Sequence, residues 1–224
     1  LLSSSIDFDL LDSLNIIFVG GYTIGSTSHG IIKKTTNGGS NLTSQLDIVD
    51  TVLLSVDFMN PSIGCVCGQK GKILKTTNIG VNWSRVISPA YANLNSIYFR
   101  DSINGIVSGD FGTLYGTSNS GDSWVMKTGG FINSNLSSAV FVNYNTGIAV
   151  GQNYILKTTN SGNEWLLKYN DPSLFWNKIQ MLDENVGYSS CNLRKLYKTT
   201  DGGENWNFFS TFGEDFVSTN MGYS

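Results

Sequence analysis

Five glycines set at one fixed interval constrain this chain more than any other feature. Gly39, Gly80, Gly121, Gly162 and Gly203 follow one another every 41 residues. Each lies in a copy of one short motif, read along the chain as KTTNGGSNL, KTTNIGVNW, GTSNSGDSW, KTTNSGNEW and KTTDGGENW. The motif condenses to Thr-x-Asn/Asp-x-Gly-x-x-Trp. Thr35, Thr76, Thr117, Thr158 and Thr199 open the copies. Asn37, Asn78, Asn119, Asn160 and Asp201 hold the third position, and Leu42, Trp83, Trp124, Trp165 and Trp206 close them. A constant period of this length means one structural module per repeat, each burying its apolar face against a neighbour.

The residues inside one period read as short strands. In the third repeat, LNSIYF (94–99), IVSG (106–109), LYGT (114–117) and SWVMK (123–127) are separated by RDSING, DFGT and SNSGD. Runs rich in Val, Ile, Tyr, Phe and Trp, split by Gly, Asn, Asp and Ser, are hairpin signals. No window supports a helix of three turns, and the three prolines are few enough for sheets that need their N–H donors. Four strands in a period of about 40–45 residues make one propeller blade. The sequence therefore predicts an all-β chain, a β-propeller of four-stranded antiparallel blades with five repeats and a partial sixth. The blades are expected over 3–50, 51–92, 93–134, 135–173 and 174–212, with 213–224 a partial blade or a closing tail. Either five blades close the ring, or the chain is part of a ring of six to eight; the reading leans towards the larger ring.

The motif falls on the third turn of each blade. Asn or Asp is expected to bond backbone N–H groups two residues on, Gly to supply a positive φ, Thr to join the network, and Trp to bury its face beside the turn. Leu42 replaces the Trp in the first copy, so that copy should be the least well packed. Lysines Lys34, Lys75, Lys157 and Lys198 recur at the strand end before the motif, interrupted by Gly116. They read as a solvated rim or a weak anionic docking edge.

These copies resemble the Asp-box, or bacterial neuraminidase repeat. The longer units IGCVCGQKGKILKTTNIGVNW and TGIAVGQNYILKTTNSGNEW are similar to the photosystem II stability and assembly factor-like propellers, and the likeness covers nearly the whole chain. It implies that the boxes are folding elements on the side of the ring away from the usual binding face. It also implies a seven-bladed ring as the usual form, and an arginine-rich patch for partners. This chain has only Arg85, Arg100 and Arg194. A sialidase-like glycoside hydrolase, the least favoured reading, needs three arginines converging on a carboxylate, a Tyr nucleophile and paired acids, and no such set is apparent.

The loops expected on the binding face are SPAYAN (88–93), GGFINSN (129–135) and NDPSLFW (170–176) between blades, with QKGK, DFGT, QNY and NLRK within them. Tyr91, Phe131, Phe175 and Trp176, with Gln69, Asp110, Gln152, Asn153 and Arg194, are arranged as rings and polar groups that would hold a peptide or a sugar. The alternative is that the aromatics cap the core between blades. The first repeat carries GGYTIGSTSHGIIKK (20–34), longer than the matching span elsewhere; it reads as a mobile insertion or as a functional loop holding the only histidine, His29.

Net charge of −3 and a pI near 5.0 argue against a nucleic-acid partner. No apolar run is long enough to span a membrane. Cys65, Cys67 and Cys191 read as small buried hydrophobes, with no metal-ligand spacing and no cofactor signature. The chain is thus expected to be a non-catalytic binding or scaffold propeller for a protein or glycan, extracytoplasmic (secreted, periplasmic or at a cell surface) and read as a processed or excised piece. A photosystem II-type assembly factor is the alternative.

Overall fold

The computed structural model describes residues 3–127 and 133–212, with side chains from Asp7 onward. Apart from two single turns at Gln69–Gly71 and Asp110–Gly112, all the described regular structure is strand. Unit 1 is β1 (Ser3–Leu10), β2 (Ile16–Ile24), β3 (Thr27–Thr35) and β4 (Thr43–Val49). Unit 2 is β5 (Leu53–Phe58), β6 (Gly64–Gly68), β7 (Ile73–Thr76) and β8 (Ser84–Val86). Unit 3 is β9 (Leu94–Phe99), β10 (Gly105–Gly109), β11 (Leu114–Thr117) and β12 (Val125–Met126). Each is an antiparallel four-stranded sheet in sequence order.

Units 4 and 5 run together. They comprise β13 (Leu136–Phe141), β14 (Gly147–Thr158), β15 (Leu166–Met181), β16 (Gly187–Cys191), β17 (Lys195–Thr199) and β18 (Asn207–Thr211), in one six-stranded order. The first part of β14 pairs with β13 and the rest, from Gln152, with β15, the latter ladder broken at Asn153, which has φ 73°. Likewise β15 leaves β14 to pair with β16. Long elements thus stand where the other units have separate strands. The predicted partial blade at 213–224 lies outside the described residues, as does Phe131.

The cores lie between units. One joins Ile17, Val19 and Ile32 to Leu53, Val56, Val66 and Leu74; the next joins Cys65, Cys67 and Ile73 to Leu94, Ile97, Phe99 and Trp124. Two more bind unit 3 to unit 4 and unit 4 to unit 5. A single sheet has no core of its own here, which is why the repeat must be copied. The cysteines are free and buried, as expected, and burial pushes the Cys65 thiol up to about 12.

The box network differs in detail from the expected one. The threonine hydroxyl accepts the N–H of the box glycine at 2.9–3.1 Å and donates to the Asn or Asp side chain. That side chain then accepts an N–H four residues on, not two, at 2.9–3.0 Å. The turn is wider because two successive residues take positive φ, as at Ser120 (58°) and Gly121 (79°). A Cβ on Gly121 would also lie 2.7 Å from Cys65 Sγ, so the glycine closes a seam between units as well as a turn. Trp124, Trp165 and Trp206 are buried beside their boxes, whereas Leu42 is 51% exposed.

Three of the four strand-end lysines are not a solvated rim, and the fourth, Lys198, lies over Tyr188 and Phe209 of its own unit. Lys34 donates to the Ile79 carbonyl at 2.8 Å, Lys75 meets Asp122 at 2.6 Å and Lys157 meets Glu204 at 2.7 Å. Each reaches from its own unit to the box of the next, with its stem covered by the intervening seam.

Candidate functional site

At one end of the sheets, the turn between the second and third strands of units 2 to 5 is stitched to the connectors between units. The N–H groups of Gln69, Asp110, Gln152 and Asn192 donate to the carbonyls of Val52, Asn93, Asn135 and Phe175 at 2.8–2.9 Å. Gly71 and Gly112 donate forward to Ala92 and Ser134, both at 2.8 Å. Asparagine side chains complete the stitching: Asn93 accepts from the Lys70 N–H and Asn135 from the Phe111 N–H, both at 3.2 Å. The boxes lie at the other end, where Ile79, Ser120 and Ser161 donate to the carbonyls of Ser62, Ile103 and Asn145 in the first hairpin of their own units.

The stitched turns carry their tips in the left-handed region: Lys70 and Phe111 at φ 56°, Asn153 at 73°, Leu193 and Arg194 at 58°. A non-glycine side chain is held there only when its surroundings fix the backbone, and such positions gather at functional sites. Phe111 is 70% exposed and Tyr91, in the adjoining connector, 97% exposed. Leu193, Arg194 and Phe175 are exposed as well. Asn153 Oδ1 is shut off from solvent without a hydrogen-bond partner among the described residues.

The residues expected on this face divide. Tyr91, Phe175 and Arg194 are on it and accessible. Gln69 and Gln152 are on it, partly buried at the start of their turns. Asp110 is on it but occupied, accepting from Asn93 and Asn95 at 2.9 Å each. Trp176 must be corrected: it has no exposed surface and packs edge-on against Tyr169 and Tyr197 at 5.4 and 4.9 Å. Its pairing with Cys191 matches those of Leu94 with Gly109 and Leu136 with Gly151, so it fills the place of a core leucine. Phe111 and Leu193 were missed. The signal available was their place at the tips of DFG and NLR, where a large apolar residue has nothing in its own unit to pack on.

The long span in unit 1 is not a loop. It is a continuation of the ladder through Tyr22↔His29 and Ile24↔Thr27, with β4 following β3 as far as Val49. Tyr22 stacks on His29 at 4.7 Å, and the two bond the oxygens of Asp47 at 2.6 and 2.9 Å. The bond to Asp47 raises the Tyr22 phenol's pKa, and the bonds from Tyr22 and then His29 lower that of Asp47. A phenol held protonated is the reverse of an activated nucleophile. The three arginines are not assembled into a patch: Arg194 is on this face, Arg100 at the box end of unit 3, and Arg85 on the outer strand of unit 2.

The inner strands of all five units line a central cavity of about 520 Å³. Side chains tie them together across the seams. Asp7 accepts from Ser55 Oγ and the Val56 N–H, Asp9 from the Phe58 N–H, and Asp57 from the Phe99 N–H. Lys178 stands 3.8 Å from Asp7. The described residues contain no group of His, Cys, Asp and Glu suited to a metal ion, and no helix long and apolar enough to cross a membrane.

Comparison with known proteins adds the following. The model of a family described as photosynthesis system II assembly factor YCF48 matches residues 82–211. A solved structure described as YCF48 bound to D1 peptide is similar with a TM-score of 0.66 at 19% identity, over 91% of this chain and 67% of that one. YCF48 from Cyanidioschyzon merolae is similar with a TM-score of 0.59 at 15% identity, over 92% and 85%. The Niastella koreensis GH74 enzyme reaches 0.69 at 14% identity, over 92% of this chain and 38% of the enzyme. At such identities these structures share the fold, and the enzyme's chemistry does not come with it. No curated protein matches. The family match corrects the expectation of a secreted, periplasmic or cell-surface protein, because that family is described by its part in assembling photosystem II. The box repeat behind that expectation specifies a hairpin lock and carries no address.

Proposed function

The chain belongs to the photosynthesis system II assembly factor YCF48 family, and from this premise we propose that it is a non-catalytic assembly factor that docks a peptide segment of a protein partner on the stitched-turn face. The observation that carries this reading is the set of exposed side chains on rigid left-handed turn tips: Phe111, Leu193 and Arg194, with Tyr91 and Phe175 beside them. Rings and aliphatic groups fixed in advance lose little freedom on binding, so they act as anchors. Gln69, Gln152 and Asn153 offer amides between the anchors, and Arg194 a cation for an acidic group. His29 stands on the extended hairpin that borders the face. A similar protein has been seen with a D1 peptide, which supports a peptide as the ligand class here.

The test is fluorescence anisotropy with a labelled D1 peptide. Phe111→Ala and Arg194→Ala should each weaken binding by about tenfold or more, the cost of an anchor or of a charged hydrogen bond. Binding that survives both changes unaltered would remove this face from the reading.

A further inference from the structure

The seam between units 3 and 4 departs from every other unit at two positions, Gly116 and Arg100, and both border one cleft at the box end, joined there by a box residue that is neutral where units 3 and 5 are acidic. Where the other units have lysine before the box, unit 3 has Gly116. Where Asp122 and Glu204 receive the lysines of the preceding units, unit 4 has the neutral Asn163. After the inner strand, where the other units place Leu11, Met59, Val142 and Leu182, unit 3 has Arg100. The cleft has a volume of about 260 Å³, close to the roughly 300 Å³ at which small-molecule sites begin.

Its electrostatics are unlike those of the seams closed by Lys75–Asp122 and Lys157–Glu204. Lys127 leans into the space that Gly116 leaves: a Cβ on Gly116 would meet Lys127 Cε at 2.7 Å. The Lys127 ammonium reaches Asn163 Oδ1 at 3.0 Å, an acceptor without charge. Arg100 lies over the rings of Phe141 and Tyr144 at 4.9 and 4.2 Å. Its Nε donates to Asp101 at 3.3 Å and one Nη to the Tyr144 carbonyl, which leaves donors of its five-donor fork without a partner among the described residues. Among the described residues two cations line the cleft and no carboxylate does, while hydroxyls of Thr117, Ser118, Ser123 and Ser161 surround them.

We propose that this cleft binds a small ligand through a carboxylate or phosphate group, held between Arg100 and Lys127. Arg100 supplies a planar fork already fixed by its aromatic shelf. Lys127 supplies the charge that its own seam leaves unneutralised, and the Ser118 and Ser123 hydroxyls donate to the remaining oxygens, since Thr117 and Ser161 already donate to Asn119 Oδ1 and the Tyr144 carbonyl. The site lies at the opposite end of the sheets from the stitched-turn face, so it can be filled while that face is engaged.

The test is an NMR titration of the isotope-labelled chain with inorganic phosphate and, separately, malonate, at low salt. Saturable shifts confined to residues around 100–105, 116–127 and 161–163, with a Kd of about 1 mM or tighter for either probe, support the site. The probe that binds more tightly assigns the headgroup. Arg100→Met places there the residue type found at Met59, and Gly116→Lys restores the lysine of the other four units and displaces Lys127, so both variants agree with the fold. Each should weaken binding at least about tenfold. Shifts that do not saturate, that scatter over surface lysines, or that persist in Gly116→Lys would overturn the proposal.

Discussion

Lys157 of unit 4 and Glu204 of the unit 5 box meet at 2.7 Å across a seam, with the lysine buried and the glutamate half exposed. Lys168 holds the other oxygen of the same carboxylate at 2.6 Å. The box is thus more than a turn lock, because it receives the neighbouring unit's cation. Unit-to-unit stacking uses charge at the rim, apolar side chains in the middle and buried aspartates on the inner strands.

Lys157→Met should cost less than Lys157→Ala. The methionine keeps most of the buried stem and Glu204 keeps Lys168, so the loss is about 1 kcal/mol; alanine adds a cavity and should cost about 2–3 kcal/mol. Urea unfolding measures both. Lys157 and then Lys168 hold the Glu204 carboxyl below its ordinary range. A carboxyl lowered on folding stabilises above its unfolded pKa, and that contribution fades as the pH falls through the folded value. The difference between wild type and Lys157→Met should therefore shrink in acid.

Trp165→Ala should cost about 3–5 kcal/mol, as a large buried aromatic lost from a seam. Its indole also donates to the Gly162 carbonyl at 3.2 Å. Leu42→Ala should cost under about 1 kcal/mol, since half of that side chain already faces water. Similar unfolding midpoints for the two variants would contradict a box whose closing residue is a seam residue.

The period and the hairpins were legible in the sequence because both are local: turn chemistry and alternation lie within a few residues. The seams were not. Lys75 and Asp122 are 47 residues apart, and nothing within one repeat says that the lysine of one copy meets the box of the next. Trp176 was misplaced on the face because an isolated tryptophan beside a loop looks like a binding ring. Aligned by strand register it stands with Leu53, Leu94 and Leu136, where any side chain is buried. Phe111 escaped notice because a left-handed tip aims a side chain in a direction that strand alternation does not describe.

Ile79→Gly should stabilise the fold by about 0.5–1 kcal/mol. Ile79 has φ 60°, where a β-branched side chain costs about 1–2 kcal/mol, partly offset by the greater freedom glycine regains on unfolding. Units 1 and 5 already have glycine there, Gly38 and Gly202. The Ile79 carbonyl that receives Lys34 belongs to the backbone and is kept. A lower melting temperature for the variant would show that the exposed part of Ile79 contributes more packing than its φ costs.

Asp57, on the inner strand of unit 2, makes a contribution to the pH dependence opposite in sign to that of Glu204. Burial first, then the neighbouring charge of Asp9, raises its carboxyl well above the ordinary range, while the Phe99 N–H pulls the other way. Burial raises Asp9 as well. A carboxyl with a raised folded pKa binds its proton more tightly in the folded chain, so the stability that Asp57 contributes is lost as the pH rises from the unfolded pKa near 3.8 to the folded value. Asp57→Asn keeps an oxygen for the Phe99 N–H and cannot ionise. The variant should match wild type in acid and melt higher near about pH 7, the difference between the two growing as the pH rises. Thermal melts from about pH 4 to about pH 8 read this directly. If wild type gained on the variant as the pH rose, the Asp57 carboxylate would have to be stabilised by the inner-strand network, and the tie between Asp57 and Phe99 would be an ionic lock instead of a protonated one.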